Sequence, residues 1–126
     1  MDDDRYRIHI TAEPEYLAGE SEPEKDRYVY AYTITIENTG AVPAQLISRH
    51  WIITDGRNRV QEVRGLGVVG QQPWLRPGES FRYTSGCTLE TPFGSMRGSY
   101  SLVTSDHATF EAPIPEFTLS PPNSLH

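Results

Sequence analysis

Among its 126 residues the sequence has one cysteine, Cys87, so no disulfide can form within the chain. A lone cysteine of this kind is expected to be a reduced thiol in a cytoplasmic protein. No apolar run approaches the roughly eighteen residues needed to cross a bilayer. The opening MDDDRYRIHI is acidic where a secretory signal is basic, so the sequence predicts a cytoplasmic protein with no membrane contact. Helical spacing is absent too: nowhere do apolar residues recur at a 3.6-residue period over ten positions. Metal motifs are also missing, because His9, His50, Cys87 and His107 are scattered with no His-x-x-x-His or Cys-x-x-Cys spacing. No metal and no cofactor are expected. The carboxylates offer no recognisable acid–base pair, and Cys87 with His50 or His107 is a nucleophile–base pair on paper only. Cys87 closes an alternating strand, where a small buried thiol is the ordinary occupant. The sequence therefore predicts a protein that is not an enzyme.

Charge is present but unevenly placed. Residues 1–26 hold nine acids against three bases, which accounts for the whole net charge of −6; the remaining hundred residues hold eight of each sign. The acidity argues against nucleic acid as a partner. Past Lys25 every base is arginine, and six of them between Arg49 and Arg82 face only Asp55, Glu62 and Glu79. A solvated strand surface accounts for that excess; a recognition surface is the alternative.

Period-two patterns recur along the chain. RYRIHIT (5–11) sets Tyr6, Ile8 and Ile10 against Arg7 and His9. LAGESEPEKDR (17–27) reads as an exposed loop. YVYAYTITIE (28–37) is the clearest strand, with Tyr28, Tyr30, Tyr32, Ile34 and Ile36 on one face, and it ends at the turn Asn38-Thr39-Gly40. AQLISRHWIITD (44–55) is a third strand, with Trp51 as the candidate centre of the core. Asp55-Gly56-Arg57-Asn58 signals a hairpin in which Gly56 supplies a positive φ, and RVQEV returns as a short fourth strand. SFRYTSGCTL and MRGSYSLVTSD alternate again, with the turn ETPFG between them. ATFEAPIPEFTLS is extended, but Pro113 and Pro115 withhold two ladder donors and confine it to an edge or a bulge. Seven short antiparallel strands predict one all-β domain, an immunoglobulin-like or fibronectin type III-like β-sandwich, with a small closed barrel as the alternative. Its ordered core is expected over about residues 5–120, with a flexible acidic N-terminus and tail.

Between the fourth strand and SFRYTSGCTL runs RGLGVVGQQPWLRPGES (64–80), with Gly65, Gly67, Gly70, Pro73, Trp74, Pro77, Arg64 and Arg76. A compact domain rarely keeps so long an irregular connection without a use for it. Its Gly-x-Gly-x-x-Gly run is not followed by an amphipathic helix, so the dinucleotide-binding arrangement fails. Three readings remain. The glycines serve tight backbone turns over packed Val68, Val69 and Trp74; or successive amides form an anion nest bracketed by Arg64 and Arg76; or Trp74, with the two arginines beside it, anchors a protein partner.

The stretches SRHWIITD (48–55), EVRGLGVVGQQPWLRPGESFRYTSGC (62–87), LETPFGSMRGSY (89–100) and FEAPIPEFTL (110–119) together resemble the ApaG family, over about residues 5–120. The resemblance implies a fibronectin type III-like sandwich and no assigned enzymatic activity. It carries associations with cobalt resistance, magnesium efflux and a diadenosine tetraphosphate hydrolase, and it offers Gly65, Gly67 and Gly70 as a pyrophosphate-binding feature. Relatives fused to F-box and other segments imply a recognition unit.

These readings converge on a non-enzymatic binding module. It is expected to engage a protein partner through the 64–80 connection, with Glu90 to Gly94 as its neighbour. A phosphate-containing small molecule held by the glycine run is the alternative.

Overall fold

A computed structural model describes residues 4–122. Expectations for residues 1–3 and for 123–126 of the tail lie outside the described residues. Eight strands follow in order: β1 (Ile8–Tyr16), β2 (Tyr28–Asn38), β3 (Ala44–Asp55), β4 (Val60–Leu66), β5 (Trp74–Leu75), β6 (Ser80–Leu89), β7 (Gly94–Thr104) and β8 (Thr109–Leu119). They form two antiparallel sheets, a smaller one in the order β1-β2-β6 and a larger one in the order β4-β3-β7-β8, with β5 paired to the end of β3. The protein is an all-β sandwich and not a closed barrel, because β4 and β6 belong to separate sheets.

The alternating residues of β2 supply one inner face, with Tyr30, Tyr32, Ile34 and Ile36 buried. Leu46, Trp51 and Ile53 of β3 and Met96, Tyr100 and Leu102 of β7 supply the other. Trp51 is 2% exposed, as its place in the sequence predicts. Its ring meets Tyr32 at 5.3 Å and Phe117 at 6.0 Å, both edge-on. Burying each such side chain contributes about 1.5–3 kcal/mol, so this one cluster outweighs any single surface contact.

Three local readings change, and that for β8 holds. The first strand begins later and runs through Glu13, Pro14 and Glu15; as an edge strand it leaves one side unpaired and tolerates the proline. Residues 17–27 contain two single-turn 3₁₀-helices, Ala18–Glu20 and Pro23–Lys25. In the β3–β4 hairpin the positive φ falls on Asn58 (62°), not on Gly56. The Asp55 carboxylate holds that turn, accepting from the Arg57 and Arg59 amides at 2.8 and 3.0 Å. Burial works against its ionisation, but these amide bonds and the Arg59 guanidinium lower its pKa. Strand β8 is both an edge and bulged: its register against β7 shifts between Met96 and Gly98, opposite Pro115 and Glu116.

The 64–80 connection is less irregular than expected. Arg64–Leu66 completes β4, Trp74–Leu75 is the added strand β5, and Ser80 opens β6. Only residues 67–73 and 76–79 remain outside strands.

Candidate binding surface

The connection is fixed by an irregularity in its neighbour. The β3 register shifts between Leu46 and Ser48, and the carbonyl of the intervening Ile47 accepts two bonds from the connection, the Gly67 amide at 2.8 Å and Gln72 Nε2 at 2.9 Å. Arg49 lies two residues past Ile47, on the inward face with Trp51 and Ile53. Its Nη1 donates to the Leu66 and Gly67 carbonyls at 2.9 Å each. Farther along, buried Asn38 donates through Nδ2 to Leu75 O at 2.9 Å, and the Gly78 amide donates to the Asn38 carbonyl at 2.8 Å. Arg76-Pro77-Gly78-Glu79 closes as a tight turn with Gly78 at φ 88°. Val68 and Leu75 are fully packed below, so the connection is anchored at both arms.

The three glycines have three different local roles. Gly65 sits in β4 opposite Arg49, where an added Cβ would lie 2.8 Å from the guanidinium carbon. Gly67 has φ +63°, and its Cβ would meet the Gln71 carbonyl oxygen at 2.3 Å. Gly70 has φ +79° in open space. It follows Val69, whose own φ is 43°. Val68 and Gln71 exchange both backbone bonds, at 2.8 and 2.9 Å, so Val69-Gly70 is a two-residue hairpin loop with both central residues left-handed. A β-branched residue in that region is strained by about 1–2 kcal/mol. Two amides that an anion nest would use, those of Gly67 and Val68, are already committed inside the loop.

The arginines named from the sequence are not brought together. Arg64 pairs in register with His50, whereas Arg76 lies beyond the Ala44–Leu75 pair. Six residues of strand separate these positions, about 20 Å. Arg64 is 73% exposed on the outer face, 3.6 Å from Glu62. Glu90–Gly94 is likewise not a neighbour of the connection. It packs beside the Asp55–Arg59 hairpin, through Thr91 Oγ1 to the Gly56 amide and Glu90 to Arg59, at the opposite end of β4.

What the connection does present is apolar. Leu66 is 75% exposed, Val69 53% and Trp74 52%. Val69 was expected to pack beneath the loop, and the left-handed turn directs it outward instead. Register places Leu66 and Trp74 on the outer face of the larger sheet, opposite Ser48 and Gln45.

Behind the connection the two sheets part between the edges of β4 and β6. A cleft of about 290 Å³ is lined there by Arg49, Tyr32, Tyr83, Ser85, Val69 and Gly70. Arg49 was not singled out from the sequence; the available signal was one charged residue at the inward period of Trp51 and Ile53. Tyr83 and Tyr100 hydroxyls bond each other beneath it. Burial pushes Tyr83 up to about 12 and Tyr100 further in the same direction.

The nucleophile–base pairings do not form. Burial pushes the Cys87 thiol up to about 11. His50 faces outward, with Nε2 2.7 Å from Glu62 Oε1, and His107 occupies the β7–β8 turn. That bond to His50 is the main reason the Glu62 carboxyl lies below its usual range. Among the described residues no three His, Cys, Asp or Glu side chains converge as metal ligands. Nor is any described helix long and apolar enough to cross a membrane.

A fibronectin-like sandwich with a clamped, glycine-bearing segment between its fourth and sixth strands is thus the class of domain that fold and surface define. The ApaG domain model matches residues 18–104, and the chain belongs to that family. It is 61% identical over 125 residues to Protein ApaG of Dechloromonas aromatica, covering 99% of this chain and 98% of that one. It is also 61% identical to Protein ApaG of Thiobacillus denitrificans, over 97% of this chain and 96% of that one. The crystal structure of the ApaA protein from Bordetella pertussis superposes with a TM-score of 0.94 at 57% identity, covering 96% of this chain and 98% of that one. These relatives carry no enzymatic activity in their names.

Proposed function

We propose that this ApaG-family protein is a cytoplasmic, non-enzymatic binding module that recognises a protein partner through the connection between β4 and β6. One observation carries the reading: of the five large apolar side chains exposed among the described residues, three (Leu66, Val69 and Trp74) come from this one segment. The segment is also held by side-chain bonds at both arms, so little ordering cost accompanies binding. Tryptophan is the residue type most suited to anchor such a contact. The neutral, half-buried Cys87 thiol is consistent with a role other than catalysis.

The test places a photo-crosslinking amino acid at position 74 in the native cells, with a control at Thr35 on the far sheet, and identifies what is captured at position 74 alone. Calorimetry with that purified protein is then expected to show Trp74→Ala weakening binding at least about tenfold, and Arg76→Ala changing it less. Capture equal at both positions, or unchanged affinity for Trp74→Ala, overturns the reading.

A second reading, a small phosphate-bearing anion, is favoured by Arg49. This inward guanidinium has no carboxylate within ion-pair distance among the described residues and lines the cleft shared with Gly70. Saturable amide shifts at Arg49 and Gly65–Gly70 on adding pyrophosphate or a dinucleoside tetraphosphate, lost in Arg49→Gln, are its signature. Flat spectra remove it.

A further inference from the structure

We infer that the β4 edge pairs with the β4 edge of a second copy of this chain, in antiparallel register about Val63, joining the larger sheets of two molecules across a two-fold axis. The inference goes beyond partner recognition by the connection and does not depend on it.

The edge is open in the required direction. Asp55 N–H to Arg59 O and Gly67 N–H to Ile47 O belong to one β3–β4 ladder, so the odd-numbered residues of β4 bond to β3. The even-numbered residues Val60, Glu62, Arg64 and Leu66 therefore aim their N–H and C=O groups away from the sheet. The same four residues share its outer face. Among them Leu66 O already accepts from Arg49, which leaves one lone pair on that oxygen.

Their order is self-complementary. Antiparallel pairing centred on Val63 sets Val60 opposite Leu66 of the second copy, Glu62 opposite Arg64, Arg64 opposite Glu62, and Leu66 opposite Val60. The charged pairs are opposite in sign, and the apolar pairs join two of the most exposed apolar side chains of the molecule, Val60 at 62% and Leu66 at 75%. Every pair also joins outward-facing backbone groups, so side chains and hydrogen bonds agree on one register.

The other three edges lack this property. Strand β1 carries Pro14 between Glu13 and Glu15, so a second copy would meet like charge. Strand β8 carries Pro113 and Pro115 and a bulge. Strand β6 has Arg82 as its sole charge and no acid of its own to face the Arg82 of a second copy. The Val68–Gln71 hairpin begins beyond the end of β4, since Gly67 still bonds to Ile47 of β3, and it borders the cleft shared with Tyr83 and Ser85.

A seven-residue edge buries less than the standard interface of about 1,600 Å², so the dimer is weak, with a dissociation constant on the order of tens of micromolar. Sedimentation of the full chain from about 5 µM to about 1 mM is expected to carry the mass from 14.2 kDa toward twice that value. Arg64→Glu and Glu62→Arg are each expected to stay monomeric while keeping native circular dichroism, since both positions are exposed. An equimolar mixture of the two is expected to associate, and the double variant Glu62→Arg/Arg64→Glu to recover self-association. Trp74→Ala is expected to leave the dimer unchanged, which separates this inference from the partner-binding reading. A wild-type mass that stays monomeric at about 1 mM, or a dimer that survives Arg64→Glu, overturns it.

Discussion

The two edges of the larger sheet are built in opposite ways. Strand β8 carries Pro113, Pro115 and a bulge, and Phe110 at its start stacks with Tyr6 at 5.8 Å. These are devices that keep an edge from recruiting another strand. Strand β4 has no proline, exposes Val60 and Leu66, and runs directly into the clamped connection. A sandwich that blocks one edge and leaves the other open has one side available for contact and one that ends the sheet.

The contrast breaks most severely where the connection's backbone is least substitutable. Gly67→Ala must hold a positive φ and displace the Gln71 carbonyl, so a loss of about 3 kcal/mol in urea unfolding is expected. Val68→Ala and Arg49→Ala come next, at about 2 kcal/mol each, the first through a cavity and the second through two charged hydrogen bonds. Arg49→Ala should also speed amide exchange between residues 66 and 72 more than in β8. Trp74→Ala is expected to change stability by less than about 0.5 kcal/mol, since the ring is half in solvent. A larger loss would mean that Trp74 is a packing residue and would remove the anchor.

Solution pH sharpens the same comparison. On the β4 side, burial raises Tyr83 to about 12 and Tyr100 with it. Their contribution to stability is complete below the ordinary tyrosine value near 10 and is lost as pH rises toward 12, so unfolding in alkali should accompany tyrosinate absorbance. On the β8 side, Asp106 lies below its usual value because the Thr104 and Tyr6 hydroxyls bond to it, against a small opposing effect of burial. That contribution is present above the ordinary carboxyl value of 3.8 and is lost as pH falls below it, so amides of the β7–β8 turn should exchange faster in acid.

The sandwich was legible because its signals are local and periodic. Five alternating residues of β2 and one tryptophan in β3 suffice to place the inner face, and two prolines suffice to place an edge. The alternation at 5–11 finds strand β1 but not its extent, Ile8–Tyr16, because Pro14 is tolerated only at a sheet edge and a local pattern does not show where the edge lies. The sequence points to Gly56 for the left-handed position that Asn58 adopts, because it does not show that the Asp55 carboxylate caps the Arg57 and Arg59 amides. The connection was found but its interior was not. Arg49 becomes its clamp only because the Ile47 bulge and Gly65 admit it, and both depend on pairing across sequence distance. Val69 left its expected packing place because a two-residue loop requires a left-handed first position there, whatever side chain occupies it.

The most direct test of the central claim, that the connection is a rigid platform and not a slack loop, is residue-resolved hydrogen exchange on the native protein. The account predicts that the amides of Gly67, Val68 and Gln71, each donating within 2.9 Å, exchange at rates close to those of β3, while Val69 and Gly70 exchange fast. Uniformly fast exchange from residue 67 to residue 73 would contradict it.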